Sequence, residues 1–372
     1  MTSELSSLCS YAKGKVSVDT LSKRNYVSTE NMMPNKGGIV DAGALPSAQY
    51  TQQYIKDDIL VSNIRPYFKK IWMADDDGGC SNDVLVFRAD RGCDSTFLYY
   101  ILANDAFFNY ASATSKGTKM PRGDKTAIMQ YKVPCFNYET QLRIGKLLRS
   151  IDDRIAVNKK INDNLADLLQ TIYQGRFGND ILAVNQGVLS DICSYSTDKV
   201  AVSELNVRTY FSTENMLSGK AGSTEATSLP TTSQTTACHK GDTLISNIRP
   251  YFKKIVYCED KCGCSTDVLC FTPSQPCYSA YLFSTLYADK FFAFMVAGSK
   301  GTKMPRGDKQ QIMTYPVVLP SEEELAGFNT IASPLLEQIY SNRAENKRLS
   351  ILRDTLLPKL MSGEINVSAI QL

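Results

Sequence analysis

Two short basic segments hold the residues of this chain whose types and spacing could do chemistry. Residues 62–71 read SNIRPYFKKI, and residues 115–125 read SKGTKMPRGDK. Lysine and arginine contact phosphate oxygens, asparagine and arginine can read base edges, and tyrosine can stack on a base or bind phosphate. The glycines of the second segment let a backbone approach a partner closely. Both segments therefore indicate contact with a nucleic acid.

Each segment occurs twice, and the copies lie 184 residues apart: residues 62–71 return unchanged at 246–255, and 115–125 return at 299–309. The sequence around them has diverged, so recent duplication alone does not explain the identity. The predicted DNA-contacting residues are Asn63, Arg65, Tyr67, Lys69, Lys70, Lys116, Gly117, Thr118, Lys119 and Arg122, with the copies Asn247, Arg249, Tyr251, Lys253, Lys254, Lys300, Gly301, Thr302, Lys303 and Arg306.

Bland structural roles are the alternatives for both segments. Residues 115–125 could form a solvated basic turn. Residues 62–71 could form a strand–turn–strand unit that places Tyr67 or Phe68 in the core, although Arg65 suits that role less well.

Each repeat is typical of a mixed α/β globular domain. Short β-rich runs bounded by Gly, Asp and Asn predict strands, and runs rich in Leu, Tyr and Phe predict helices. Stretches full of Ser, Thr, Gly and Ala predict loops. The predicted strands are 58–62, 83–87, 242–246 and 267–271, the predicted helices are 95–112 and 279–297, and the predicted loops are 33–54 and 217–238.

Two long amphipathic helices are predicted at 138–174 and 322–359, with seam positions that step by four and three as in a coiled coil. Buried asparagines at such positions fix the register, because their amides need partners. With antiparallel pairing, Asn158 would face Asn346 and Asn162 would face Asn342; the alternative puts all four on solvated helix edges. The seam residues are Ile144, Leu148, Ile151, Ile155, Asn158, Asn162, Leu165, Leu169 and Ile172, with copies at Phe328, Ala332, Leu335, Ile339, Asn342, Asn346, Leu349, Arg353 and Leu356.

The composition favours a globular protein in a reducing compartment. The chain is 43% apolar, carries a net charge of +3 and has 11 cysteines. We recognise no secretory signal and no run of 18 apolar residues, so a cytoplasmic location is expected. Cys258, Cys262 and Cys264 lack paired Cys-x-x-Cys spacing, and the first repeat has only one matching cysteine, so we predict no metal site.

Catalytic motifs are not recognisable. The single histidine, His239, cannot serve two equivalent Ser–His sites, and neither a phosphate-binding G-x-x-x-x-G-K-[ST] loop nor an Asn-Pro-Pro-Tyr/Phe segment occurs. We therefore predict a non-catalytic chain whose chemistry belongs to partners.

Two variable globular domains, each followed by a long helix, resemble the specificity subunit of a type I restriction–modification system. Residues 352–365, LRDTLLPKLMSGEI, are similar to the characteristic C-terminal region of that family. Gly241 and Asp242, which open the second basic segment, also fit its target-recognition domains, whereas Asp57 replaces the glycine in the first copy.

The resemblance implies two target-recognition domains, at 1–136 and 185–320, and two antiparallel spacer helices, at 137–184 and in 321–372 with the tail. It implies that each domain reads half of a split site in double-stranded DNA. Two adenine methyltransferase subunits would dock on the chain, and restriction subunits would join the full complex. S-adenosylmethionine, ATP and Mg²⁺ are expected only on those partners. A coiled-coil assembly scaffold without DNA, and a self-contained nuclease, are the competing functions.

The similarity of the two repeats further predicts related half-sites arranged as an imperfect inverted repeat. Matched segments that differ are candidates for any difference in base choice, although surface drift is the alternative for each. These segments are 72–78 against 256–262, 111–114 against 295–298, and 33–54 against 217–238.

Overall fold

The computed structural model describes residues 2–178 and 185–367. The predicted domain boundary at residue 184 lies outside these ranges. The chain forms two compact units: the first is Met1–Ala156 with Asn346–Leu372, and the second is Val157–Glu345. Each unit contains one repeat and parts of both long helices.

The described residues of the first repeat form ten strands: β1 (Thr2–Glu4), β2 (Cys9–Tyr11), β3 (Lys15–Ser17), β4 (Tyr26–Val27), β5 (Tyr50–Tyr54), β6 (Ile59–Ser62), β7 (Ile71–Met73), β8 (Gly78–Cys80), β9 (Val84–Ala89) and β10 (Lys132–Pro134). Strands β1 and β10 pair with each other, and the order β2-β9-β6-β7 makes an antiparallel sheet. A third sheet has the order β3-β5-β8-β4, in which β4 and β8 run parallel.

Strand β6 lies between two cores, because successive side chains of a strand point to opposite faces of the sheet. Ile59 and Val61 pack into the larger core, which the helices cover. Leu60 packs into a smaller core with Val84 and Val86. The strand predicted at 58–62 is thus confirmed, and β9 confirms the strand predicted at 83–87.

The helices of the first repeat are α1 (Ser95–Ala103), α2 (Asp105–Ala113), α3 (Lys125–Met129) and α4 (Tyr138–Phe177). The prediction of one helix over 95–112 is wrong, because Asn104 adopts an extended conformation with φ −68° and ψ 139°. Its side chain caps α2 by accepting from the Ala106 N–H at 3.0 Å. The break lets α2 pack on the turn Pro66–Phe68.

The second repeat has the same topology. Its described strands are β11 (Gln186–Val188), β12 (Cys193–Tyr195), β13 (Lys199–Ala201), β14 (Tyr210–Phe211), β15 (Gln234–Cys238), β16 (Thr243–Ser246), β17 (Ile255–Tyr257), β18 (Cys262–Cys264), β19 (Val268–Pro273) and β20 (Pro316–Val318). Its helices are α5 (Leu189–Ile192), α6 (Ser279–Tyr287), α7 (Asp289–Ala297), α8 (Lys309–Met313) and α9 (Glu322–Ser362).

Strands β16 and β19 confirm the strands predicted at 242–246 and 267–271. The single helix predicted over 279–297 is again wrong, because Ala288 is extended at φ −63° and ψ 142°. Alanine offers no side-chain cap. The break therefore follows from packing rather than from a capping residue.

The prediction of loops at 33–54 and 217–238 is only partly correct. Their last five residues form β5 and β15, each in the middle of a sheet. Thr51 and Thr235 donate their hydroxyls to the carbonyls of Cys80 and Cys264 at 2.5 Å, which fixes these strands on β8 and β18. Because these segments are rich in polar residues, the sequence did not predict the two strands. Their threonines donate hydrogen bonds to the neighbouring strands.

The long helices α4 and α9 run antiparallel, as predicted. In the second unit the Asn342 amide donates to Asn162 Oδ1 at 2.9 Å, which is the predicted pairing. The Asn158 amide donates to Glu345 at 2.7 Å, a partner that the spacing did not suggest, and Asn346 is half-buried. These asparagines do not lie on solvated edges, and their role in fixing the register stays a prediction.

In the first unit, Arg353 at a seam position of α9 pairs with Asp152 of α4 at 2.7 Å. The predicted fold class, mixed α/β domains with two paired antiparallel helices, is confirmed. None of the helices in the described residues combines the length and apolar character needed to cross a membrane.

Candidate nucleic-acid interface

Backbone hydrogen bonds bring the two basic segments of each repeat together. The Arg65 N–H donates to the Pro121 carbonyl at 2.8 Å, and the Gly123 N–H donates to the Asn63 carbonyl at 3.1 Å. The second repeat has the equivalent bonds, at 2.8 and 3.3 Å. We call the resulting areas the first basic surface, residues 63–70 and 116–122, and the second basic surface, residues 247–254 and 300–306.

A strained turn presents the first segment of each surface. Arg65 and Lys69 flank the 3₁₀ turn Pro66–Phe68 with φ values of 50° and 52°. The copies, Arg249 and Lys253, have 50° and 51°. Left-handed backbone costs a residue other than glycine roughly 1–2 kcal/mol. Such strain persists only where the surroundings hold it, and it clusters at functional sites.

A neighbouring loop holds the turn in place. The N–H groups of Asn35 and Lys36 donate to the carbonyls of Phe68 and Lys69, both at 2.8 Å. In the second repeat, residues 219 and 220 make the same bonds at 2.8 and 2.9 Å. The loop 33–54, predicted from sequence as a candidate for base choice, therefore contacts the first basic surface directly.

A carboxylate that the sequence reasoning missed organises part of this surface. Asp105, at the start of α2, receives Lys36 and Lys69, each at 2.8 Å. Desolvation opposes ionisation, but hydrogen bonds from both lysines keep the pKa of Asp105 below its usual value. Asp289 receives the two equivalent lysines at 2.7 and 2.9 Å. Its unchanged recurrence at the 184-residue offset was the signal that could have identified it.

Two further carboxylates pair with predicted contact residues. Lys116 pairs with Asp124, and Arg122 pairs with Asp83 at 3.2 Å. The hydrogen bond from Lys116 lowers the pKa of Asp124. The second surface repeats both pairs. Exposed ion pairs of this kind contribute only about 0–1 kcal/mol, so breaking them costs little.

The remaining predicted cations differ in availability. The Lys70 ammonium donates to the Thr29 carbonyl at 2.6 Å, and desolvation lowers the pKa of Lys70. Lys119 lies at the exposed tip of the turn formed by the paired residues 116 and 122, beside Gly117 with φ 98°. Across the described residues, neither Lys119 nor Arg65 has a carboxylate within 4 Å. They are the cations of the first surface most available to a ligand, as their copies are in the second.

Each surface also contains buried polar atoms without a hydrogen-bond partner among the described residues. They are Asn63 Oδ1 and Arg65 Nε, and in the second copy Asn247 Oδ1 and Arg249 Nε. An unpaired buried polar atom costs roughly 1–3 kcal/mol. The same two atoms are unpaired in both copies, so both surfaces bear this cost.

The aromatic residues do not lie in the core. Tyr67 is 50% exposed and Phe68 38% exposed, whereas Pro66 is buried. The alternative that placed these rings in the core is therefore wrong. The backbone, and not the aromatic side chains, anchors the turn.

A group of buried thiols distinguishes the second repeat. Cys238, Cys258, Cys262, Cys264 and Cys270 share one small core, and the Sγ atoms of Cys258 and Cys262 lie 3.6 Å apart. In residues 2–178 and 185–367, no three His, Cys, Asp or Glu side chains are arranged to hold a metal ion. These cysteines fill space that Tyr54 and other residues occupy in the first repeat.

Comparison with known proteins connects this geometry to one class. The family model described as the type I restriction modification DNA specificity domain matches residues 1–166. The type I restriction enzyme MjaIX specificity subunit of Methanocaldococcus jannaschii is 22% identical over 336 residues, covering 74% of this chain and 70% of that protein. The EcoDI specificity subunit of Escherichia coli is 25% identical over 159 residues, covering 41% of this chain and 35% of that protein.

A solved structure shares the fold over nearly the whole chain. The S subunit of a type I restriction-modification system from M. genitalium has a TM-score of 0.59 at 18% identity, covering 97% of this chain and 96% of that one. The chain therefore shares the fold of that S subunit. Residues 1–166 thus match a DNA specificity domain of type I restriction modification systems, and most of the chain is similar to type I specificity subunits.

Proposed function

We propose that the chain reads a bipartite DNA site, with one basic surface on each half-site. The observation that carries this proposal is the unchanged recurrence of both surfaces, including left-handed arginines, carboxylate partners and unpaired cations. Because the surfaces are so alike, the half-sites are related sequences in an imperfect inverted repeat. Residues that differ between the repeats, foremost in loops 33–54 and 217–238, adjust base choice.

Two adenine methyltransferase subunits dock on the chain in this proposal, and restriction subunits join the larger complex. The exposed apolar residues Val157, Ile161 and Leu168 support a docking face on α4, since each is 38% exposed or more. Methylation, ATP-driven movement and cleavage, with S-adenosylmethionine, ATP and Mg²⁺, belong to those partners. The chain itself selects the site in the cytoplasm and catalyses no step.

The first experiment maps methylated adenines in a host that carries this system, which yields both half-sites. The second measures binding of the full chain with its methyltransferase subunits to a duplex of that sequence at several salt concentrations. Affinity falls steeply with salt, because phosphate contacts release counterions.

Lys119→Ala with Lys303→Ala lowers affinity for all sequences and reduces the salt slope by about 2, roughly 1 for each lost phosphate contact. Lys13→Thr is the matched control, because Lys13 is exposed and the second repeat has Thr197 there. Salt-independent binding, or no preference for the mapped duplex, would support the assembly scaffold without DNA instead.

A further inference from the structure

Each basic surface exposes three large apolar side chains. In the first surface, Tyr67 is 50%, Phe68 38% and Met120 48% exposed. In the second, the equivalent values for residues 251, 252 and 304 are 50%, 39% and 47%. Exposing three large apolar side chains to water costs solvation free energy, and both surfaces bear this cost. Exposed apolar groups of this kind point to a partner that covers them.

The backbone presents these rings rigidly. The left-handed residues Arg65 and Lys69 flank the rings, Pro66 is buried beneath them, and the Phe68 carbonyl accepts from Asn35. The Tyr67 and Phe68 rings contact each other with centroids 4.8 Å apart and planes tilted by 57°. The pair in the second surface has 4.8 Å and 56°. A projection held this firmly loses little conformational entropy when it binds.

The charges around the rings favour a polyanion as the partner. The first basic surface and Lys36 together hold seven cations, and three carboxylates pair with four of them, an excess of four positive charges, whereas the whole chain has +3. A protein partner would have to supply a separate acidic group for each of Arg65 and Lys119. Double-stranded DNA supplies a phosphate backbone for the cations and an apolar base stack for the rings. The residues are Lys36, Arg65, Lys69, Lys70, Lys116, Lys119 and Arg122, with Asp83, Asp105 and Asp124.

We infer that Tyr67, supported by Phe68, is a wedge that inserts at one base step of its half-site. Proteins use apolar side chains in this way to unstack a step and bend the duplex. Pyrimidine–purine steps unstack most easily, so the wedge selects such a step indirectly. Tyr251 does the same in the other half-site. The inference rests on the proposed function and adds a contact mode to it.

Because the two wedges are identical, they contribute equally to both half-sites. They raise affinity and favour a deformable step at a matched position in each half-site, and they do not discriminate between the half-sites. Both half-sites therefore carry a distortion at equivalent positions of the inverted repeat.

The test places 2-aminopurine at each position of the mapped half-sites in turn and measures its fluorescence with the full chain and its methyltransferase subunits. The fluorescence rises at one step in each half-site when the protein binds. Tyr67→Ala with Tyr251→Ala removes both rises and weakens binding on the order of 30- to 20,000-fold, since each substitution removes one stacked base. Tyr67→Phe with Tyr251→Phe keeps the rises, because the ring remains.

Tyr138→Ala is the control for loss of an exposed aromatic ring outside the surfaces, since Tyr138 is 51% exposed on α4. It leaves both signals unchanged. Salt-dependent, site-specific binding without any fluorescence rise, or an alanine pair that behaves like the native protein, overturns the wedge and leaves the proposed function intact. Absence of specific binding by the native protein overturns the proposed function itself.

Discussion

A partly buried charge network in the first unit has an apolar counterpart in the second. Asp152 accepts from Arg353 at 2.7 Å and from the Tyr100 hydroxyl at 2.6 Å. Burial and the Asp152 carboxylate raise the pKa of Tyr100, so the phenol stays protonated and donates. The positions offset by 184 residues hold Leu336 for the aspartate, Leu169 for the arginine and Ser284 for the tyrosine. Matched positions thus hold a charged network in the first unit and two leucines with a serine in the second.

Arg353→Leu removes the cation that pairs with Asp152 and leaves the carboxylate its hydrogen bond from the Tyr100 hydroxyl. Breaking a fully buried ion pair costs about 3–5 kcal/mol. The side chains of Asp152 and Arg353 are 26% and 24% exposed, and water screens part of the charge. We therefore expect local destabilisation of about 2–3 kcal/mol, below the range for full burial.

Replacing the whole network has a different effect. Asp152→Leu with Arg353→Leu reproduces the pair found in the second unit and removes the unpaired charge. The Tyr100 hydroxyl then lacks its acceptor, which costs about 1–2 kcal/mol, and adding Tyr100→Phe removes that cost. The triple variant is expected within about 1 kcal/mol of the native protein, as for other buried pairs replaced by apolar residues.

Hydrogen exchange of backbone amides is the appropriate assay, because a chain with two units does not unfold in one step. Peptides covering 95–103 and 349–362 report on the network, and the peptide 281–287 is the internal control. Arg353→Leu accelerates exchange in the first two peptides only. If it accelerates neither, or if the triple variant exchanges as fast as the single one, the reasoning about the uncompensated charge is wrong.

Three other predictions concern the interface and the helices. Arg65→Ala relaxes base choice at one position by about 1–3 kcal/mol in a methylation-motif assay if the arginine takes a guanine edge, and an unchanged motif would reject that role. Asp105→Asn releases Lys36 and Lys69, so affinity for random-sequence duplex rises at low salt and the salt slope steepens; equal affinity would show that the lysines do not reach phosphate. Asn342→Leu leaves the buried Asn162 Oδ1 without the donor it has in Asn342 and destabilises the helix pair by about 1–3 kcal/mol, measured as faster hydrogen exchange in 157–177; unchanged exchange there would remove the register role.

The amino-acid sequence by itself determined the repeat, the strand cores and the helix pair. The alternation of β6 side chains between two cores and the four–three spacing along α4 depend on residues close together in the chain. The Asn162–Asn342 bond was also predictable, because antiparallel helices of one register leave few partners for a buried amide. The residue types of the repeated basic segments were enough to indicate a nucleic-acid partner.

Tertiary structure alone decided how the basic residues are used. The path of the backbone brings Arg65 to Pro121 and Lys69 to Asp105, which are distant in sequence. The same path leaves Tyr67 exposed. That path includes left-handed residues and a helix break at Ala288 that packing imposes against local propensity. Local preferences are worth a few tenths of a kcal/mol to about 1 kcal/mol per residue, so packing between distant segments overrides them.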